Sequence, residues 1–194
     1  KSGDGRSLLR GVKSVTQAVE SYFPTESRMY FYQAAFLEGL YAPSTKLVAT
    51  LVVNPRSEQR RILIQDPKRP NFVMTSTHNA VEEYLWLPSG HELVFTAFGS
   101  GRYEDGLYYW NLKDNSTHNY TKILRQRFFP DLPADEKIVF SLSHVGGKPQ
   151  FVYFFASPLK DGSLDPKDFY RYGNFFAINL ALKRTAANTI ERVP

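Results

Sequence analysis

The chain has 194 residues, 24 basic against 19 acidic, and a formal net charge of +5, which is long enough for one good-sized core or a small repeat array with a supporting element. It contains no cysteine, and that excludes disulfides, zinc–thiolate sites and thiol nucleophiles together. No apolar run reaches the roughly 18 residues that a membrane-spanning helix needs, while 15 Phe and 12 Tyr favour strands over helices.

The chain opens at Lys1 without an apolar leader, which reads as a mature protein or an excised domain. Lys1 to Arg6 is polar. From Ser7 to Phe23 the residues Leu8, Val12, Val15, Val19 and Tyr22 recur at spacings of three and four, which predicts an amphipathic helix capped by Ser7 and ended by Pro24. Gly11 works against it by about 1 kcal/mol. Met29 to Leu40 is aromatic enough for a strand of its own. Lys46 to Leu51 then predicts a strand, Asn54 to Ser57 a turn and Arg60 to Gln65 the return strand. The prolines at 67 and 70 end that run, since a central ladder does not hold them.

Val81 to Leu87 predicts the next strand, Pro88-Ser89-Gly90 a tight turn, Leu93 to Thr96 a strand and Leu107 to Leu112 its return leg. The chain is expected to leave this unit through the turn at Asp114 to Thr117 and on through Tyr120 to Leu124. Beyond Phe128-Phe129-Pro130, Lys137 to Leu142, Gln150 to Ala156 and Asn174 to Leu180 predict three more strands, and Arg184 to Pro194 reads as a tail.

Three turns repeat. Pro43 opens PSTKLVAT, Pro88 opens PSGHELVFT and Pro133 opens PADEKIVFS, each 45 residues after the one before. A period of roughly 40 to 45 residues with strands inside each unit is the signature of propeller blades. The expected fold is therefore all-β: a β-propeller-like array of about three antiparallel meander blades behind an N-terminal amphipathic helix. Its divisions are residues 1–28 for the helical segment, 29–182 for the repeats (29–75, 76–124 and 125–182) and 183–194 for the tail.

The stretch Trp86-Leu87-Pro88-Ser89-Gly90, then Glu92 to Thr96 and Gly106 to Leu112, resembles the PD40 repeat of TolB-like propellers, whose turn reads W-S-P-D-G. The resemblance covers residues 37 to 180, closely in the second unit and loosely in the others. Ser89 stands where the repeat has Asp, and Thr45 and Asp135 replace its Gly. The absence of cysteine fits an exported bacterial protein, so the expected location of such a segment is periplasmic or extracellular. Propellers use about four to eight blades, so three imply a longer parent chain, a partial blade from residues 1–36, or a homodimer that closes the ring.

Catalytic signals are missing. There is no G-x-S-x-G elbow, and Gly99-Ser100-Gly101 lacks the strand-to-helix context of a nucleophile or phosphate loop. His78, His91, His118 and His144 lack ligand spacing and read as exposed loop residues, so no metal or cofactor is expected. Glu82-Glu83 and Glu104-Asp105 are neighbours that point to opposite strand faces, which suits solubilised edges better than a shared acid and base. Asn115-Ser116-Thr117 and Asn119-Tyr120-Thr121 are glycosylation sequons that matter only in a eukaryotic secreted protein.

Two surfaces are expected to bind. Tyr103, Tyr108, Trp110, Tyr170 and Tyr172, with Arg102 and Arg171, fit an aromatic patch for a protein partner or a glycan, although packing between sheets explains Tyr108 and Trp110 equally well. Arg56, Arg60, Arg61, Lys68 and Arg69 fall within fourteen residues and fit an anionic ligand such as nucleic acid or anionic glycan. The leading expectation is a non-enzymatic binding or scaffold module with a protein partner. The alternatives are an accessory segment of a larger hydrolase and an anionic-ligand binder.

Overall fold

The structure is a computed structural model that describes residues 39–53, 59–98, 106–147, 150–159, 173–183 and 186–194. The helix expected over Ser7 to Phe23 and the turn at Asn54 to Ser57 lie outside them. The chain divides into two compact units: Lys1–Val81 with Pro88–Gly90, and Glu82–Leu87 with His91–Pro194.

Among the described residues three four-stranded sheets form, with antiparallel ladders between neighbouring strands, so the fold is mostly β. The first holds β1 (Gly39–Tyr41), β2 (Val48–Val53), β3 (Arg60–Asp66) and β4 (Arg69–Thr75), paired in chain order. Ile62, Leu63 and Ile64 of β3 are all buried. A strand segment hidden on both faces reads as an unbroken apolar run, as Ile62-Leu63-Ile64 does within RRILIQ. Pro70 falls in β4, an edge strand, where the missing N–H breaks no inner ladder. The segment after β4 folds back on the start of β3. The Ser76 amide donates to Ile62 O at 2.9 Å, the Ile62 amide to Ser76 Oγ at 3.0 Å, and the Arg60 amide to Asn79 O at 2.6 Å.

The second sheet, β5 (Val81–Trp86), β6 (Glu92–Ala97), β7 (Gly106–Asn111) and β8 (Ser116–Asn119), is again paired in chain order. The chain leaves this sheet as a helix: α1 spans Tyr120–Phe128. Asn119 caps it, its Oδ1 accepting from the Thr121 amide at 2.8 Å. Tyr120 and Leu124, four apart, form the buried stripe. Periodicity in nine residues beside so many strands is a weak signal, and the cap alone marked it.

The third sheet, β9 (Ile138–Gly146), β10 (Phe151–Pro158), β11 (Asn174–Asn179) and β12 (Ile190–Arg192), runs in the order β12-β11-β10-β9. Its make-up departs from the repeat. Pro43 and Pro88 lie between the first and second strands of their sheets, whereas Pro133 follows α1 and precedes β9, so no counterpart of β1 and β5 stands there. The Arg125 guanidinium occupies that bend instead, donating to Leu132 O at 3.3 Å, Pro133 O at 2.8 Å and Glu136 O. The fourth strand comes from the end of the chain. Residues 183–194 are thus not simply a tail: Ile190 is buried and pairs with Ile178, and Arg127 of α1 donates to its carbonyl at 2.6 Å.

Within the second unit the two sheets and the helix share one core. Val94, Leu107 and Tyr109 of the second sheet meet Val152, Phe154, Phe176 and Ile178 of the third, with Tyr120 and Leu124 of α1 among them. Phe176 has the ring of Phe128 5.0 Å away and that of Phe129 at 6.0 Å. Burying each such side chain contributes about 1.5–3 kcal/mol.

Candidate functional site

The aromatic patch expected around β7 is not at the surface. Tyr108 and Trp110 are 4% and 2% exposed. They lie on the face of the second sheet opposite Val94 and Tyr109, where Tyr108 stacks on Phe95 at 5.3 Å. Their polar ends are also engaged: Trp110 Nε1 donates to Asn115 Oδ1 at 2.9 Å, and Asn119 Nδ2 to Tyr108 Oη at 3.5 Å. GLYYWN is apolar on both faces, so alternation alone did not tell an open face from a covered one. Arg102, Tyr103, Tyr170, Arg171 and Tyr172 lie outside the described residues.

The basic cluster does not converge. Arg60 and Arg61 begin β3, whereas Lys68 and Arg69 lie beyond its far end, about 20 Å away at the rise of a strand. Arg61 Nε donates to Asn79 Oδ1 at 2.7 Å. Arg69 Nε contacts Asp66 Oδ2 at 2.7 Å, and its guanidinium lies 4.7 Å from the Phe72 ring centre. That guanidinium, with the Lys68 amide after it, holds the Asp66 carboxyl below its ordinary range. Closeness in sequence became separation because a strand intervenes. Arg56 lies outside the described residues.

Groups with chemical potential are used by the fold. Glu83 was expected to solubilise an edge, yet its Oε2 accepts from the Leu142 amide at 2.6 Å and its Oε1 from Ser141 Oγ at 3.4 Å. Leu142 borders a bulge at Ser143 in β9, where the register against β10 slips between Tyr153 and Phe154. The carboxylate satisfies an amide that the irregular edge leaves over. Glu92 accepts from Tyr109 Oη. Glu104 and Asp105 lie outside the described residues, as do Gly99 to Gly101.

The histidines do not gather either. His78 is buried, not an exposed loop residue, and desolvation pulls its pKa down to about 4. His118 stacks on Tyr109 at 5.8 Å and His144 on Tyr153 at 4.8 Å, on different sheets. Among the described residues no group of three or more His, Asp or Glu is placed to hold a metal ion.

A partly exposed aromatic face lies elsewhere. On β10 Val152, Phe154 and Ala156 face the shared core, so Phe151, Tyr153 and Phe155 line the other face. Phe175, 40% exposed, is paired with Phe155 there, their rings 6.2 Å apart at 61°. Phe151 and Tyr153 are tilted by 42°. QFVYFFA carried the signal, being apolar at every position but one, and only the sheet revealed which half is turned outward.

No protein-family model matches the chain, and no curated protein sequence is significantly similar to it. The geometry therefore carries the functional reading. Its most informative feature is in the first unit, where the first two proline turns touch: Ser44 Oγ donates to Pro88 O at 2.8 Å and Thr45 Oγ1 to Gly90 O at 3.0 Å.

Proposed function

We propose that the chain is a segment of a PD40-type β-propeller serving as a non-enzymatic binding or scaffold module for a protein partner, in the periplasm or outside the cell. The observation that carries the reading is the contact of Thr45 with Gly90, positions 45 residues apart and so one sequence repeat apart. Stacked repeats bring equivalent positions of successive units together, and a sandwich of unrelated strands has no reason to do so. The core shared by the second and third sheets supports the same reading.

A scaffold is favoured over an enzyme because Glu83, Glu92 and His78 serve backbone, tyrosine and core contacts. The contact surface offered to that partner is the exposed ring of Phe175, which pairs with Phe155. Arg102 and Tyr103, and Tyr170 to Tyr172, are further candidates for that contact.

The test is affinity capture from envelope and extracellular extracts, with the full chain as bait and Phe175→Ser as the control. The expected result is one protein recovered in stoichiometric amount by the natural chain and at least tenfold less by the variant. Equal recovery by both removes the aromatic face from the reading. Retention on heparin that falls steeply with salt, and no protein recovered, replaces it with the anionic-ligand alternative.

A further inference from the structure

The two sequons four residues apart stand in opposite structural situations. Asn115 is exposed at the tip of the β7–β8 turn, with φ of 57°, a conformation that asparagine tolerates better than most residues. Its Oδ1 accepts from Trp110 Nε1 at 2.9 Å, and its Nδ2 has no partner among the described residues. Thr117, the third residue of that sequon, is exposed as well. In the second sequon Asn119 Oδ1 caps α1, its Nδ2 donates to the buried Tyr108 Oη, and the middle residue Tyr120 is fully buried. The Thr121 hydroxyl that a transferase must read accepts from the Leu107 amide at 2.8 Å and lies against Gly106.

We propose that Asn115 is an N-glycan attachment site and that Asn119 is not. The donor class is a lipid-linked oligosaccharide. Asn115 Nδ2 forms a bond to the anomeric carbon of the donor and loses one proton. The bond from that carbon to the lipid pyrophosphate breaks, and the pyrophosphate leaves with the electron pair. The product keeps its amide carbonyl, so the bond from Trp110 survives. A glycan on Asn119 would have to displace Tyr108 from beside the cap, whether it was added before or after folding. The proposal needs a eukaryotic secretory route, so it rests on none of the bacterial, periplasmic part of the scaffold reading and keeps only its extracellular compartment.

The full chain is secreted from a eukaryotic host behind a cleavable leader, treated with peptide N-glycosidase in heavy-oxygen water, and mapped by mass spectrometry. The expected result is heavy-oxygen aspartate at position 115 in most of the secreted chains and none at 119. Thr117→Ala, which leaves the Asn115 side chain in place, is expected to be secreted without glycan. Asn115→Gln should behave alike. Occupancy at Asn119 in secreted chain, or Asn115 left unoccupied in natural chain, overturns the proposal.

Discussion

Thr45 Oγ1 donates to the carbonyl of Gly90 at 3.0 Å, and Gly90 needs φ of 67° to present it. The glycine is required twice over. A side chain there would be strained by the left-handed backbone, and its Cβ would fall 2.7 Å from Ser44 Oγ and 2.8 Å from Thr45 Cγ2. The first turn thus occupies the space that the second turn's glycine leaves.

Gly90→Ala is accordingly expected to lower stability by about 1–3 kcal/mol, from backbone strain and overpacking combined. Thr45→Val, which removes this hydrogen bond together with the one Thr45 Oγ1 accepts from the Leu47 amide at 3.3 Å, should cost about 1–3 kcal/mol. Urea denaturation monitored by tryptophan fluorescence measures both. A neutral Gly90→Ala would mean that the two turns do not meet as described.

Glu83→Ala strands the Leu142 amide at the β9 bulge and should destabilise the second unit by about 1–3 kcal/mol. Glu83→Gln keeps a carbonyl oxygen as acceptor and should cost less. Hydrogen exchange at Leu142 reads the effect directly: the amide is expected to be protected in the natural chain and to lose protection in the alanine variant ahead of its β10 neighbours.

Burial holds the His78 pKa at about 4, against an ordinary value of 6.5. The unfolded chain therefore binds a proton that the folded chain refuses between those values. Stability from this group is fully present above about pH 6.5 and is lost as pH falls towards 4, by up to roughly 3 kcal/mol. The Asp66 carboxyl, whose pKa is also lowered, adds loss only below the ordinary carboxylate range. Thermal melts from pH 7.5 to 4.5 should show a falling midpoint, and His78→Gln should flatten the part between pH 6.5 and 4.5.

Asn119→Ala removes the cap of α1 and should cost about 1 kcal/mol, whereas Asn119→Asp restores an acceptor and most of the loss. Because α1 packs on Phe176 and its Arg127 holds the Ile190 carbonyl, fraying should also expose the β12 amides. Hydrogen exchange at Glu191 and Val193 checks that coupling. Unchanged exchange there would show that β12 is held without the helix.

Much of the fold was legible in the residues themselves. The runs VATLVV, RRILIQ, ELVFTA, FVYFFA and NFFAIN are apolar, aromatic or β-branched over strand lengths, and each is a strand within a residue or two of where it was expected. Recurrent Pro-Ser turns placed the reversals, because proline and glycine restrict the backbone locally whatever surrounds them. What stayed hidden depended on distant partners. The helix after Asn119 packs on Phe176, the last strand is recruited by β11 and Arg127, and Arg60 and Arg61 are parted from Lys68 and Arg69 by the length of β3. Local sequence determined where strands begin and turn, since those are short-range steric preferences. Only the tertiary structure decided which faces are covered, because Tyr108 and Phe175 both sit in aromatic strand runs, yet the chain covers the first and leaves the second exposed.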